Sequence, residues 1–343
     1  FAVGIDAKDP AIIKQCVAPN FSIHTSTWPS SQKLLNTIWD NQAFESIELI
    51  SEKITPEEDY FVAEVEFVQK DENKTKKPTK VGFTDDNKIL FVDYFDKLYG
   101  VSRYAESTLV DEIPFENENG SIILTLHLNG SEHPLRFLLD TGANGMAIQK
   151  ALADSLGITP SYSQNANVVG GQQQIEIAQG IEVLLSEKVI LKNQNIAIFP
   201  NVREQLDGII GLNIMNRYIT SIDYDRGVMS LYTFGNRDYG KTDLTLSIQT
   251  PSDLILLPSA INLTGKKEIN GNFIMDTGAN YYLILFSQFV RENRLLLSGW
   301  KSESQGATSS LGISTAVYNG TAAEFLLGDD FVDKNIPVVL QAS

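Results

Sequence analysis

One cysteine, three histidines and no long apolar run are all that this 343-residue chain offers to disulfide, metal and membrane chemistry. Cys16 has no second cysteine with which to form an internal disulfide. His24, His127 and His133 lack the spacing of a zinc site, so no metal and no cofactor are expected. A membrane-spanning helix needs roughly 20 consecutive apolar residues, and no stretch approaches that length. Basic residues are also scarce: 27 Lys and Arg stand against 43 Asp and Glu, for a formal net charge of −16. So acidic a chain repels phosphate backbones and anionic membrane surfaces, which excludes nucleic acid as an expected partner. The opening "FAVGIDAKDP" carries neither a start methionine nor a signal peptide, so a processed or trimmed form is expected. Nothing in the composition speaks to oligomeric state.

A single hydrophobic core stops growing at roughly 250–300 residues, so the length predicts two or three domains. Residues 1–104 read as the first. "DPAIIKQCV" and "SSQKLLNTIWD" have helical spacing, the second with Ser30 or Ser31 placed to cap it. The period then falls to two. In "YFVAEVEFVQK", Phe61, Ala63, Val65 and Phe67 share one strand face while Glu64 and Glu66 share the other. Lysine-rich "KDENKTKKPTK" reads as a solvated hairpin turn, and "KILFVDYFDKLYG" as a strand covered on both faces. Helices followed by an antiparallel meander make a small α+β domain. Through "FSIHTSTW", "KILFVDYFDKLYG" and the order of elements, this stretch resembles the nuclear transport factor 2-like fold. The resemblance implies a pocket, with His24, Trp28 and Asp93 as candidate lining. The plainer reading makes Trp28 core and His24 an ordinary hydrogen-bonded residue.

A linker is expected near 102–112, and beyond it the chain turns to short β-rich runs punctuated by Gly, Asn and Asp. These runs repeat. "SIILTLHLNGSEHPLRFLLDTGANGMAI" pairs with "LILLPSAINLTGKKEINGNFIMDTGANYYLI", and farther on "LKNQNIAIFP" pairs with "FVDKNIPVVL", in near-constant register. An internal duplication is predicted, with lobes at 105–240 and 241–343.

Each lobe carries the pentapeptide Asp-Thr-Gly-Ala-Asn, entered by apolar residues: Leu138 and Leu139 before Asp140, Ile274 and Met275 before Asp276. An apolar strand anchors the loop in a core, so the carboxylate that follows is partly desolvated. Thr offers a hydroxyl, and Gly permits a backbone approach that a side chain would block. One such loop is compatible with an ordinary tight turn. Two in duplicated lobes would meet across a pseudo-twofold axis, and like charges so close share a proton and titrate as a unit. One carboxylate then serves as base toward a water, and the other as acid toward a carbonyl oxygen, with no metal or covalent intermediate.

On the two Asp-Thr-Gly-Ala loops and "LDGIIGLNIMNRYITSIDYDRGVMSLY" at 206–232, the chain resembles the retropepsin-like and pepsin-like aspartic proteases, in a duplicated single-chain bacterial form. The resemblance covers about residues 110–343. It implies a mainly β, bilobal fold of closed barrels, and peptide-bond hydrolysis in a peptide or protein substrate by Asp140 and Asp276. It also implies that Thr141, Gly142, Thr277 and Gly278 support the two loops and that Ile209, Ile210 and Gly211 close the first core. A glycine-tipped flap is implied in "NVVGGQQQIEIAQ" at Val169, Gly170 and Gly171, with "SQGATSSLGISTAVYNG" as its less clear counterpart. One flap or two is left open, and an exported location is the expectation. Residues 1–103 are themselves net acidic, unlike the basic prosegments of pepsin-like proenzymes, and so read as an accessory or docking module. A peptide-binding protein without turnover is the alternative, and a structural protein with merely paired lobes a weaker third. In the first lobe "NIAIFP" is followed by "DGIIG", but "NIPVVL" is followed only by Gln341, Ala342 and Ser343. The second core therefore reads as unclosed, and a natural chain longer by roughly 30–40 residues is expected from the repeat.

Overall fold

Alternating apolar and polar side chains set much of the chain in strands, and the fold is mainly β. The computed structural model describes residues 1–343 except positions 2, 3, 5, 6, 8, 43, 58, 169, 170, 201–204, 251–253, 311, 312, 329, 330 and 343. The chain divides into two compact units, one of Phe1–Thr108 with Thr233–Tyr239 and Gln249–Asp253, the other of Leu109–Tyr232, Gly240–Ile248 and Leu254–Ser343.

The first unit runs α1 (Pro10–Cys16), β1 (Ser22–Ile23), β2 (Ser26–Thr27), α2 (Ser31–Gln42), β3 (Phe44–Leu49), β4 (Thr55–Pro56), β5 (Phe61–Gln69), β6 (Lys76–Phe83), β7 (Ile89–Val92) and α3 (Asp93–Leu98). β3, β5, β6 and β7 form an antiparallel sheet in that order. Its core gathers Ile13, Phe21, Leu35, Phe67 and Phe95. Two details differ from the sequence reading. The stretch expected to be one two-faced strand is strand only over Ile89–Val92. Asp93 and Asp96 lie in the first turn of the helix that follows, where acidic side chains favour a helix, and Lys97 pairs with Asp93 at 2.7 Å. The lysine-rich turn is also shorter than expected, because Lys76 onward is strand, with the Lys76 ammonium on Glu66 of the neighbouring strand.

In the second unit the first lobe comprises β8 (Leu109–Glu118), β9 (Ser121–Leu128), β10 (Leu135–Leu139), β11 (Met146–Gln149), α4 (Lys150–Ser155), β12 (Tyr162–Val168), β13 (Gly171–Leu184), β14 (Ile190–Phe199), β15 (Gly208–Ile210), β16 (Ile219–Asp223) and β17 (Val228–Tyr232). The path β13-β14-β11-β15-β10-β9 returns on itself, since β13 also pairs with β9 through Val183 with Leu128 and Leu184 with His127. A closed barrel results, filled by Leu124, Leu126, Phe137, Leu139, Ile196 and Ile210 among others. β15 is the central stave. It runs parallel to β10 (Leu138 opposite Ile209) and antiparallel to β11 (Ala147 opposite Ile209).

The second lobe comprises β18 (Leu256–Asn262), β19 (Ile269–Ile274), β20 (Ile284–Leu285), α5 (Ser287–Glu292), β21 (Ser304–Ser310), β22 (Ile313–Leu327) and β23 (Phe331–Gln341). Its path β19-β18-β22-β23-β20 follows the first lobe's β10-β9-β13-β14-β11 step by step, including the parallel pairing of β20 with β23. Ile261, Leu285, Ile336, Val338 and Leu340 fill its core. Among the described residues no strand joins β19 to β20.

Gly211, just past β15, has no room for a side chain: a Cβ there would lie 2.1 Å from the Ala143 carbonyl oxygen. Nothing stands within 4 Å of a Cβ at Gly145. Gly211→Ala is therefore expected to destabilise the protein by about 1–3 kcal/mol through overpacking. Gly145→Ala is expected to change stability by less than about 0.5 kcal/mol. Urea unfolding monitored by tryptophan fluorescence and circular dichroism measures both.

Candidate active site

Each Asp-Thr-Gly loop begins where a strand of its lobe leaves the core. On the first side β10 ends at Leu139, fully buried, and the Asp140 amide donates to the carbonyl of Ile210 on β15 at 2.9 Å. β15 is fixed from its other end by Asp207, whose carboxylate accepts from the Arg136 amide at 2.8 Å. Ile209, Ile210 and Gly211 thus lie directly behind the Asp140 loop, with the Leu212 amide donating to Ala143 at 3.0 Å. On the second side β19 leads through Met275 into Asp276.

The two loops meet. The Thr277 amide donates to the Thr141 hydroxyl at 3.0 Å, and the Thr141 amide to the Thr277 hydroxyl at 3.2 Å. Each hydroxyl in turn donates to the opposite strand: Thr141 to the Met275 carbonyl at 2.6 Å, Thr277 to the Leu139 carbonyl at 2.7 Å. Thr141 is fully buried. A hydroxyl that both donates and accepts satisfies two backbone groups of the other lobe at once, which neither Val nor Ala can do.

The crossing brings the carboxyls together. They are within hydrogen-bonding reach of each other, and burial, followed by the charge of Asp276 and the bond to it, pushes the Asp140 carboxyl up to about 7. The Gly142 and Ala143 amides oppose this rise. Gly142 donates to Asp140 at 2.9 Å, while Gly278 and Ala279 donate to Asp276 at 2.8 and 3.0 Å. Both glycines are needed for the approach. A Cβ at Gly142 would sit 2.6 Å from the carboxyl carbon of Asp276, and one at Gly278 equally close to that of Asp140. The pair is unequal in burial, with Asp140 partly buried and Asp276 exposed.

Of the three residues named for a flap, Val169 and Gly170 lie outside the described residues. Gly171 opens β13, paired with Val168 at the end of β12. The arms form an antiparallel hairpin from Tyr162 opposite Ile177, and Ile175 and Ile177 are buried against Ala147 and Phe199. In the second lobe β21 and β22 form the corresponding hairpin, from Ser304 opposite Asn319 to Ser310 opposite Ile313.

In the first unit a cavity of about 300 Å³ lies among apolar side chains that include Phe67, Val81, Ile89 and Val92, without His24, Trp28 or Asp93 in its lining. Trp28 packs on the core, the His24 amide donates to Asp96 at 2.8 Å, and Asp93 pairs with Lys97. No group of residues suited to hold a metal ion occurs among the described residues.

Sequence reasoning missed Asp207 and the two carbonyl acceptors, Leu139 and Met275. The signal for Asp207 was its place at the head of "DGIIG"; the carbonyls carry no side-chain signal.

Residues 124–214, which hold the Asp140 loop and β15, match the model of a family described as aspartyl protease. No curated protein matches the chain. Among solved structures, that of a retropepsin-like aspartic protease from Rickettsia conorii aligns at 18% identity over 37% of this chain and 93% of that one, with a TM-score of 0.29. No helix among the described residues is long and apolar enough to cross a membrane.

The crossed threonines generate a test. Thr141→Val and Thr277→Val should each lower stability by about 1–3 kcal/mol, because each leaves backbone groups of the other lobe without a partner. Thr277→Ser should keep most of it. Because the two share one network, the double variant should cost less than the two single losses together. Denaturant unfolding of the four proteins in one buffer reads the coupling.

Proposed function

We propose that the chain is an aspartic endopeptidase in which Asp140 and Asp276 share one proton and activate a water between them. The observation that carries this is the hydrogen-bonded carboxyl pair, with Asp140 raised to about 7 at the crossing of two Asp-Thr-Gly loops. Desolvation penalises the charged form, so the shared proton resides on the more buried Asp140, and the exposed Asp276 is the carboxylate. Asp276 would take a proton from water as the water oxygen bonds to the scissile carbonyl carbon. Asp140 would donate its own to the carbonyl oxygen. Collapse of the tetrahedral species breaks the C–N bond as one of its hydroxyl protons returns to Asp140, and the proton held by Asp276 passes to the leaving nitrogen. Thr141, Thr277, Gly142 and Gly278 hold the two carboxyls at this spacing, and Ile209, Ile210 and Gly211 back the first loop.

The same reading takes the two lobes as products of a duplication, supported by the matching strand paths, and the β12–β13 hairpin as a flap over the substrate. Residues 1–104 then act as an accessory domain, and the substrate is a peptide or an unfolded protein segment. An exported setting fits the reading.

The activity needs one proton on the pair. As pH rises through about 7 that proton is lost, both carboxyls are ionised, and kcat/KM should fall about tenfold per pH unit above that point. An alkaline limb near 7 is therefore expected in the pH profile. Asp140→Asn and Asp276→Asn should each cut cleavage of an unfolded protein by a factor on the order of 10²–10⁴ with the fold intact. Chelators should leave the rate unchanged. Turnover surviving in either variant would overturn the shared-proton mechanism. Tight peptide binding without turnover in the native chain would favour a cleft that only binds.

A further inference from the structure

β15 is only three residues long, so its place between β10 and β11 is decided by what holds its two ends. Past its last residue, the Gly211 amide donates to the Gly145 carbonyl at 3.0 Å and the Leu212 amide to that of Ala143 at 3.0 Å. Its entry is held by a residue whose side chain the mechanism leaves unused. Arg136 lies on β10, four residues before Asp140. Its peptide group pairs with Asp207 in both directions: the Arg136 amide donates to the Asp207 carboxylate at 2.8 Å, and the Asp207 amide to the Arg136 carbonyl at 2.9 Å. One guanidinium nitrogen donates to the Gln205 carbonyl at 3.1 Å, and another to Glu116 at 3.0 Å and to Glu118, both on β8.

Gln205 is the point where this tie matters. Its backbone is left-handed, with φ 64°, a conformation that a residue with a side chain keeps only where its surroundings hold it. Leu206, next along, is buried against Ile123 and Leu138. An exposed ion pair by itself contributes little. Here the planar fork serves a backbone carbonyl and two carboxylates at once, which the single ammonium of a lysine does not match. We propose that Arg136 is a positioning residue for Asp140: its guanidinium latches the Gln205 turn to β8 and so fixes β15 behind the Asp140 loop. From there the connection is direct, since Ile209 lies opposite Leu138 and the Ile210 carbonyl accepts from the Asp140 amide at 2.9 Å. A slack entry admits water beside that loop and removes part of the burial that raises the Asp140 carboxyl. Asp276 is the charged group that acts on Asp140, and substitution of Arg136 leaves it in place. Lost burial lowers the proton affinity of Asp140, whereas simple removal of a cation raises it, so the two effects have opposite signs. The effect on turnover rests on the peptidase reading; the latch itself does not.

The test compares Arg136→Met and Arg136→Lys with the native protein. Amide hydrogen exchange over 205–210, read by mass spectrometry, should quicken about tenfold in Arg136→Met while β22 and β23 exchange as before. The alkaline limb of the pH profile should move to lower pH by about 0.5 unit or more. kcat should fall about tenfold with KM nearly unchanged, because the loop is misplaced while the contacts that bind substrate remain. Arg136→Lys keeps the charge without the fork, and should show faster exchange and a limb shifted in the same direction. Unchanged exchange over 205–210, a limb moved to higher pH, or a lysine variant indistinguishable from the native protein each overturns the proposal. So does faster exchange spread evenly over both lobes, which would make Arg136 a contributor to global stability alone. If Arg136→Met does not fold, Arg136→Lys decides by the same readings. Exchange is independent of turnover, so a native chain without peptidase activity would overturn the peptidase reading and leave the latch to be judged on exchange.

Discussion

Two threonine hydroxyls hold the centre of the second unit together. Thr141 and Thr277 each accept from the other's amide and donate across to a strand end of the opposite lobe, so four backbone groups of two loops are satisfied by two side chains. Without that exchange, bringing two carboxyls into one partly dry site would be opposed by their mutual repulsion and by their loss of hydration. With it, the loops are held together, and burial and the charge of Asp276 raise the Asp140 carboxyl. Local hydrogen bonding fixes the distance, and the distance fixes the ionisation.

The precision of the crossing is passed back into the first barrel. The carbonyl of Leu139 can accept from Thr277 only while β10 is held in register, and β10 is held by β9 on one side and β15 on the other. β15 is short, and its position rests on Asp207, on the Asp140 amide and on the contact permitted by Gly211. A chain of backbone bonds thus runs from the barrel interior to one carboxyl. Burial of Asp140 and its raised proton affinity are consequences of that wall, because the same packing that positions the carboxyl also removes water from it.

Much of this was legible in the sequence for a definite reason. The duplicated pentapeptide carries its chemistry in side chains, and a repeat in register predicts that equivalent loops meet, so Asp140, Asp276 and both threonines could be named in advance. "DGIIG" was legible because a strand that must pass behind another loop needs glycine at the closest point. What stayed hidden lies in the backbone. The carbonyls of Leu139 and Met275 leave no mark on residue identity, and the closure of β13 onto β9 depends on pairings far apart in the chain. In the first unit the apolar run at 89–99 was ambiguous between strand and helix, and the acidic first turn of α3, with Lys97 placed to pair with Asp93, decided it. The cavity of the first unit is lined by apolar side chains from separate strands, which carry no polar signal in the sequence.

The unequal environment of the two carboxyls follows from the unequal lobes. Both loops share the same pentapeptide and the same threonine exchange, and each carboxyl accepts from the amide of the glycine two residues on. The difference comes from what stands behind them: a stave of the barrel on one side, and bare Ile274 and Met275 on the other. A symmetric pair has no preferred site for a single shared proton, and the direction of proton transfer would then be set by the substrate alone. Here burial on the side of β15 raises the Asp140 carboxyl, and the same wall that positions it removes water from it.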